Sequence, residues 1–187
     1  LFFHSRINAE PMAPPSTVPA PLKPGFRLSG SQVIGNKAEG IEIDAVAATG
    51  LTIDKSIIAE NALERLFVYD TDLRDRIVSN ITDFVIQDSY LGAAPNPLGG
   101  SFVGNGTDGF RGEDSTFTGV AFLDSFFNGN NTVNVADGDG LGFATSTIHS
   151  GQVTLPDSDM TITTGFTLKD SQAVNNGLGI AFGVVVA

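Results

Sequence analysis

The stretch Leu178-Gly179-Ile180-Ala181-Phe182-Gly183-Val184-Val185-Val186 sets bulky side chains against small ones at a period of two. Alternate residues face opposite sides only in an extended strand, so this segment commits the chain's end to β-structure. One face is full, and the other, Gly179, Ala181 and Gly183, is nearly bare. Small residues let another backbone come close. Such a strand is either central in a tightly packed sandwich or an element contributed to a neighbouring chain.

The sequence ahead of it supports the same class. Short apolar pairs punctuated by glycine (Phe26/Leu28, Val33/Ile34, Ile41/Ile43, Leu51/Ile53) read as brief strands with tight turns. Further strands are expected at 116–123, 131–136, 152–155 and 159–168, with a long loop over 91–109. Residues 55–87 change period. Ile58, Ala62, Leu63, Leu66 and Phe67, and more cleanly Leu73, Ile77, Val78, Ile81, Phe84 and Val85, follow helical spacing. They predict one or two α-helices inserted in the β body, with 66–69 readable as a strand instead. The fold expected is mainly β, a β-sandwich or barrel-like body spanning 26–187. No fixed-period repeat emerges.

Residues 1–25 form a separate unit in this reading. Six prolines fix φ and remove backbone donors, so the segment should be an extended, partly polyproline II arm. Phe2, Phe3, Pro14, Pro15, Pro19 and Pro21 are its candidate contact residues, reaching towards a neighbouring subunit.

Charge narrows the function. The net charge is −11, and after Arg76 only Arg111 and Lys169 stand against eleven acidic residues. Nucleic acids and anionic membranes are held by clustered Lys and Arg, so neither is an expected partner, and no apolar run reaches the roughly 20 residues of a membrane helix. With no cysteine there is no disulfide framework and no thiolate metal site.

Catalytic signals are weak. His149 has no Gly-x-Ser-x-Gly elbow to serve. Gly104-Asn-Gly106-Thr-Asp-Gly109 matches a dinucleotide fingerprint in form, but its flanks are glycine-rich where a strand and a helix are required. Asp137-Gly-Asp139-Gly begins like a calcium loop, with Asp108 or Asp124 as helpers, yet Leu141 and Ile148 stand where an EF-hand needs acids. An Asp-Gly hairpin turn is the simpler reading. The sequons at Asn80, Asn105 and Asn130 match chance in so Asn-rich a chain.

No enzyme and no cofactor are expected. The composition points to a structural subunit that works by contact with itself or a neighbouring structural protein. A capsid-decorating or minor capsid protein on a virion comes first, then an extracellular filament joined by strand donation. The third reading is a secreted calcium- or carbohydrate-binding module.

Overall fold

In the computed structural model, residues 51–54, 84–87, 120–123 and 166–169 lie side by side as parallel strands. Leu51 is opposite Phe84, Phe84 opposite Val120, and Val120 opposite Phe166. Each strand comes from a successive passage of the chain, so the chain advances as a coil. The structure describes residues 2–4, 25–37, 40–44, 47–62, 66–69, 79–130, 139–158 and 160–186.

Each coil has four sides. The first side carries Arg27–Ser29 followed by the four segments above. The second carries Gln32–Ile34, Ile57–Ala59 and Tyr90–Leu91, continued by single bridges at Phe126 and Gln172. The third carries Ile41–Asp44, Leu66–Tyr69, Phe110–Glu113 and the first halves of Asp139–His149 and Leu178–Val186. The fourth carries 47–49, 80–82, 116–118 and 147–148. Strands of the third, fourth and first sides run on into one curled eleven-stranded sheet, a half-barrel. The three-stranded sheet of the second side closes it. This is a parallel β-solenoid, in which each coil packs mainly on its neighbours.

Serine and asparagine make the corners. The backbone N–H of Ser31 donates to Ser56 Oγ at 3.2 Å, Ser56 to Ser89 at 3.1 Å, Ser89 to Ser125 at 3.3 Å and Ser125 to Ser171 at 3.0 Å. Each hydroxyl in turn donates to the carbonyl two residues before it, as Ser89 does to Gln87 at 2.7 Å. At the next corner Asn36, Asn61, Asn105, Asn130 and Asn176 repeat the relay. Each backbone N–H donates to the Oδ1 of the following coil's asparagine. The corner leaves these N–H groups outside the sheet ladder, and a buried donor without a partner costs about 1–3 kcal/mol. Asn105 and Asn130 are buried in this column, so their sequons are coincidental.

The interior is lined by Phe84, Phe110, Phe117, Phe122, Phe127 and Phe143, all fully buried. Their rings meet across coils, Phe84–Phe122 at 5.3 Å and Phe110–Phe143 at 5.1 Å. Burying each is worth about 1.5–3 kcal/mol, and eleven buried Ile, Leu and Val residues complete the same core. Gly109, Gly140 and Gly179 fall one per coil. A Cβ on Gly109 would strike the carbonyl of Gly140, and one on Gly140 that of Gly179.

Several expectations are corrected. Mainly β holds, and the curled sheet gives the barrel-like shape, with parallel pairs throughout its described strands. The helices over 55–87 are absent among the described residues. Ile57–Ala59, Leu66–Tyr69 and Asn80–Gln87 are strands, while Leu73, Ile77 and Val78 lie outside the described residues. The helix-like spacing at Ile81, Phe84 and Val85 has another cause. Asp83 bends the strand with a positive φ of 56°, which returns Phe84 to the interior beside Ile81. Val85 points outward and is buried beneath Val153 of an added hairpin.

The arm is corrected where it is described. Phe2–His4 is a parallel strand on the chain's own Ile41–Asp44, with Phe2 opposite Glu42 and Phe3 opposite Ile43. Pro14, Pro15, Pro19 and Pro21 lie outside the described residues, as does the expected strand at 131–136. Asp139-Gly140 is no hairpin turn but the start of the eleven-residue strand Asp139–His149.

Replacing Ser89 by Ala leaves the Ser56 N–H without an acceptor inside the coil. It should destabilise the protein by about 1–3 kcal/mol, lowering Tm by about 2–4 °C per kcal/mol. Ser31→Ala, at the exposed end, should stay within about 0.5 kcal/mol. Thermal unfolding of the two variants checks the order.

Candidate functional site

Turning each first corner requires one residue in the left-handed region just before the serine. Gly30, Lys55, Asp88, Asp124 and Asp170 occupy it, with φ between 48° and 56°. Asp tolerates this conformation because its short polar side chain bonds locally. The four non-glycine members are exposed and form a ridge along one edge of the solenoid.

The ridge meets a hairpin. Gly151–Thr154 and Thr161–Thr164 pair antiparallel and stand off the coil between its fourth and first sides. Val153, Leu155 and Ile162 pack on Val85, Ala121 and Leu123 of the solenoid's outer surface. Asp157, in the turn of this hairpin, reaches the ridge. Its Oδ1 accepts the Lys55 ammonium at 2.6 Å, and its Oδ2 accepts Gln87 Nε2 at 2.9 Å. Gln87 Nε2 also donates to Asp88 at 3.3 Å.

Asp54 lies behind Lys55. Its side chain is 2% exposed, and its Oδ2 takes Ser29 Oγ at 3.0 Å and Arg27 Nη2 at 3.4 Å. Its Oδ1 is buried and receives no hydrogen bond from the described residues; the Lys55 ammonium stands 3.7 Å away. Carboxylate oxygens of Asp54, Asp88 and Asp157 all lie within 4.8 Å of one another. Beside this cluster a groove of about 290 Å³ is lined by Gln87, Leu123, Asp157, Met160, Thr167 and Lys169 among others.

The candidates from sequence are placed differently. Asp137 lies outside the described residues. Asp139 opens its strand with its backbone N–H donating to Asp108 Oδ1 at 2.6 Å, and Asp108 also pairs with Arg111 at 3.5 Å. Asp124 belongs to the ridge, on a different corner. Of the described acids, the trio with ligand spacing is therefore not the one the Asp-Gly motif suggested. Only Asp88 holds the position before a corner serine; Asp54 precedes Lys55 and Asp157 lies in the hairpin turn, so the trio is legible only once the coils are aligned. His149 is exposed at the end of its strand. Gly104 and Gly106 approach the carbonyls of Gly129 and Ala62 on neighbouring coils, which explains the fingerprint-like glycines by stacking. Gly179, Ala181 and Gly183 lie on the final strand, opposite Gly142 and Ala144 at the latter two positions.

Comparison with protein families, with curated proteins and with solved structures finds no significant match.

The hydrogen bond to Asp157 raises the Lys55 pKa above its ordinary value, helped by the charge of Asp54 and opposed by desolvation. A raised folded value stabilises the protein fully below the unfolded lysine pKa of about 10.4, and this is lost as pH rises through the folded value. Stability of the wild type should therefore fall more steeply above about pH 10 than that of Lys55→Met, as urea titrations across that range would reveal.

Proposed function

We propose that this chain is a non-catalytic structural element of a larger assembly, joined to its neighbours through the ends of its solenoid. One observation carries the reading: among the described residues, core side chains of the first and last coils are left only partly covered. Leu28 and Val33 of the first coil are only partly buried, although Ile53 and Ile58 beside them are fully buried. At the other end Phe166 and Leu168 are partly buried beside Val120 and Phe122. Ile180, in register with fully buried Leu141, is 41% exposed.

Solenoids need polar capping repeats to stop their ends from associating. Among the described residues the final strand, Leu178–Val186, pairs on one side only, with Asp139–His149. An open strand edge is a template for pairing with another chain, and strand addition is a recognised mode of binding. Of the two structural readings drawn from the sequence, open ends favour subunits joined strand to strand, as in a filament, over a particle-decorating role that relies on the proline-rich arm. Head-to-tail contact of this kind is heterologous and can propagate.

Static light scattering across a concentration series tests this. The wild type should gain mass with concentration, and Val174→Lys/Ile180→Lys should shift that association at least about tenfold, the factor equivalent to about 1.4 kcal/mol. Both positions are exposed, at 47% and 41%, so Tm should hardly move. A wild type that stays monomeric at its highest soluble concentration sinks the proposal.

A further inference from the structure

We propose that Asp54, Asp88 and Asp157 form a calcium site, in which the Lys55 ammonium stands where the ion would bind. The first observation is spacing. Calcium–oxygen distances of about 2.3–2.6 Å place two ligands on opposite sides of the ion about 4.6–5.2 Å apart. The three carboxylates, within 4.8 Å of one another, can therefore converge on one calcium ion. Magnesium, at about 2.0–2.1 Å, needs a tighter set.

The second observation is independent of the acidic count. Asp54 Oδ1 is buried and has no hydrogen-bond donor among the described residues, although its sister oxygen has two. A buried carboxylate oxygen without a donor is costly. The one cation facing it, Lys55 Nζ, is 3.7 Å away, beyond hydrogen-bond range, because it sits at 2.6 Å on Asp157. The ammonium thus lies between Asp54 and Asp157 without satisfying both.

Charge points the same way. Three carboxylates against Arg27 and Lys55 leave one negative charge uncompensated. A divalent ion, with the half-exposed Lys55 side chain swung to solvent, brings the local sum to zero. The ion would tie the turn of the 151–164 hairpin to two successive corners of the coil. Lys55 then acts as a built-in competitor, and the site does not depend on how the ends of the solenoid associate.

The test is calorimetric titration of the full chain with calcium chloride and, separately, magnesium chloride. It uses wild type, Lys55→Met and Asp157→Asn, each checked for the native β spectrum. Wild type should bind one calcium with a Kd in the range of about 10⁻⁴–10⁻³ M, as in extracellular modules. Lys55→Met should bind several-fold tighter, and Asp157→Asn should lose binding. Calcium should raise the wild-type Tm and leave that of Asp157→Asn unchanged. Asp157 is exposed, so this comparison survives even if Lys55→Met folds poorly. No calcium heat in either wild type or Lys55→Met overturns the proposal. So does an equal response to magnesium, or full calcium binding by Asp157→Asn.

Discussion

The relay of serine and asparagine through the corners is the constraint on which the rest of this solenoid depends. Along the four sides, backbone groups pair coil to coil as in any parallel sheet. At a corner the chain leaves the ladder for a residue or two, and a buried N–H would be stranded. Ser56, Ser89, Ser125 and Ser171 each supply the missing acceptor to the coil before. Asn61 does more: its Nδ2 reaches back to the Val33 carbonyl at 3.2 Å while its own N–H is held by Asn105 at 2.8 Å. Each corner thus fixes the height and direction of the next, and the phenylalanine stack inside is in register because the corners are.

Pinned corners also free the segments between them. Successive corner serines are 25, 33, 36 and 46 residues apart. The asparagines are 25, 44, 25 and 46 apart. The shortest coil, 25 residues, is the unit, and the excess is excursion. The short pair Ala94–Pro95 with Ser101–Phe102 sits between Ser89 and Asn105, and the longer hairpin over 151–164 lengthens the last coil. These excursions hold the only antiparallel pairs among the described residues. The long one builds the groove and delivers Asp157 to the ridge.

This explains what could be read from the sequence and what could not. Alternation and strand-forming residues made 178–186 and 116–123 legible to the residue, although Gly119 bends the second with a φ of 73°. The coil was not, because its repeat is spatial. Ser31-Gln-Val-Ile-Gly-Asn36, Ser56-Ile-Ile-Ala-Glu-Asn61, Ser125-Phe-Phe-Asn-Gly-Asn130 and Ser171-Gln-Ala-Val-Asn-Asn176 share a serine and an asparagine at one spacing. The third occurrence is split by the excursion between Ser89 and Asn105, and unequal gaps conceal the rest. At 80–87 the bend at Asp83 and burial on both faces imitate a helical stripe. The acidic trio was hidden for the same reason: Asp54, Asp88 and Asp157 are neighbours only across coils.

The ridge itself follows from backbone geometry before any function is considered. A left-handed residue is needed before each corner serine, and Gly, Asn and Asp are the residues that enter that region readily. Choosing Asp at three of five positions puts like charges on successive rungs, which lie about 4.8 Å apart in a β-stack. At that distance each adjacent pair repels by roughly 1 kcal/mol even in water. Two rungs carry a local remedy: Lys55 takes the corner itself, despite a β-carbon that disfavours positive φ, and Lys169 sits 3.6 Å from Asp170. Along this ridge Lys55 is the one residue other than Gly or Asp. It stands beside Asp54, the buried acid whose second oxygen no donor among the described residues satisfies, so at that rung conformational strain and an unmet carboxylate coincide.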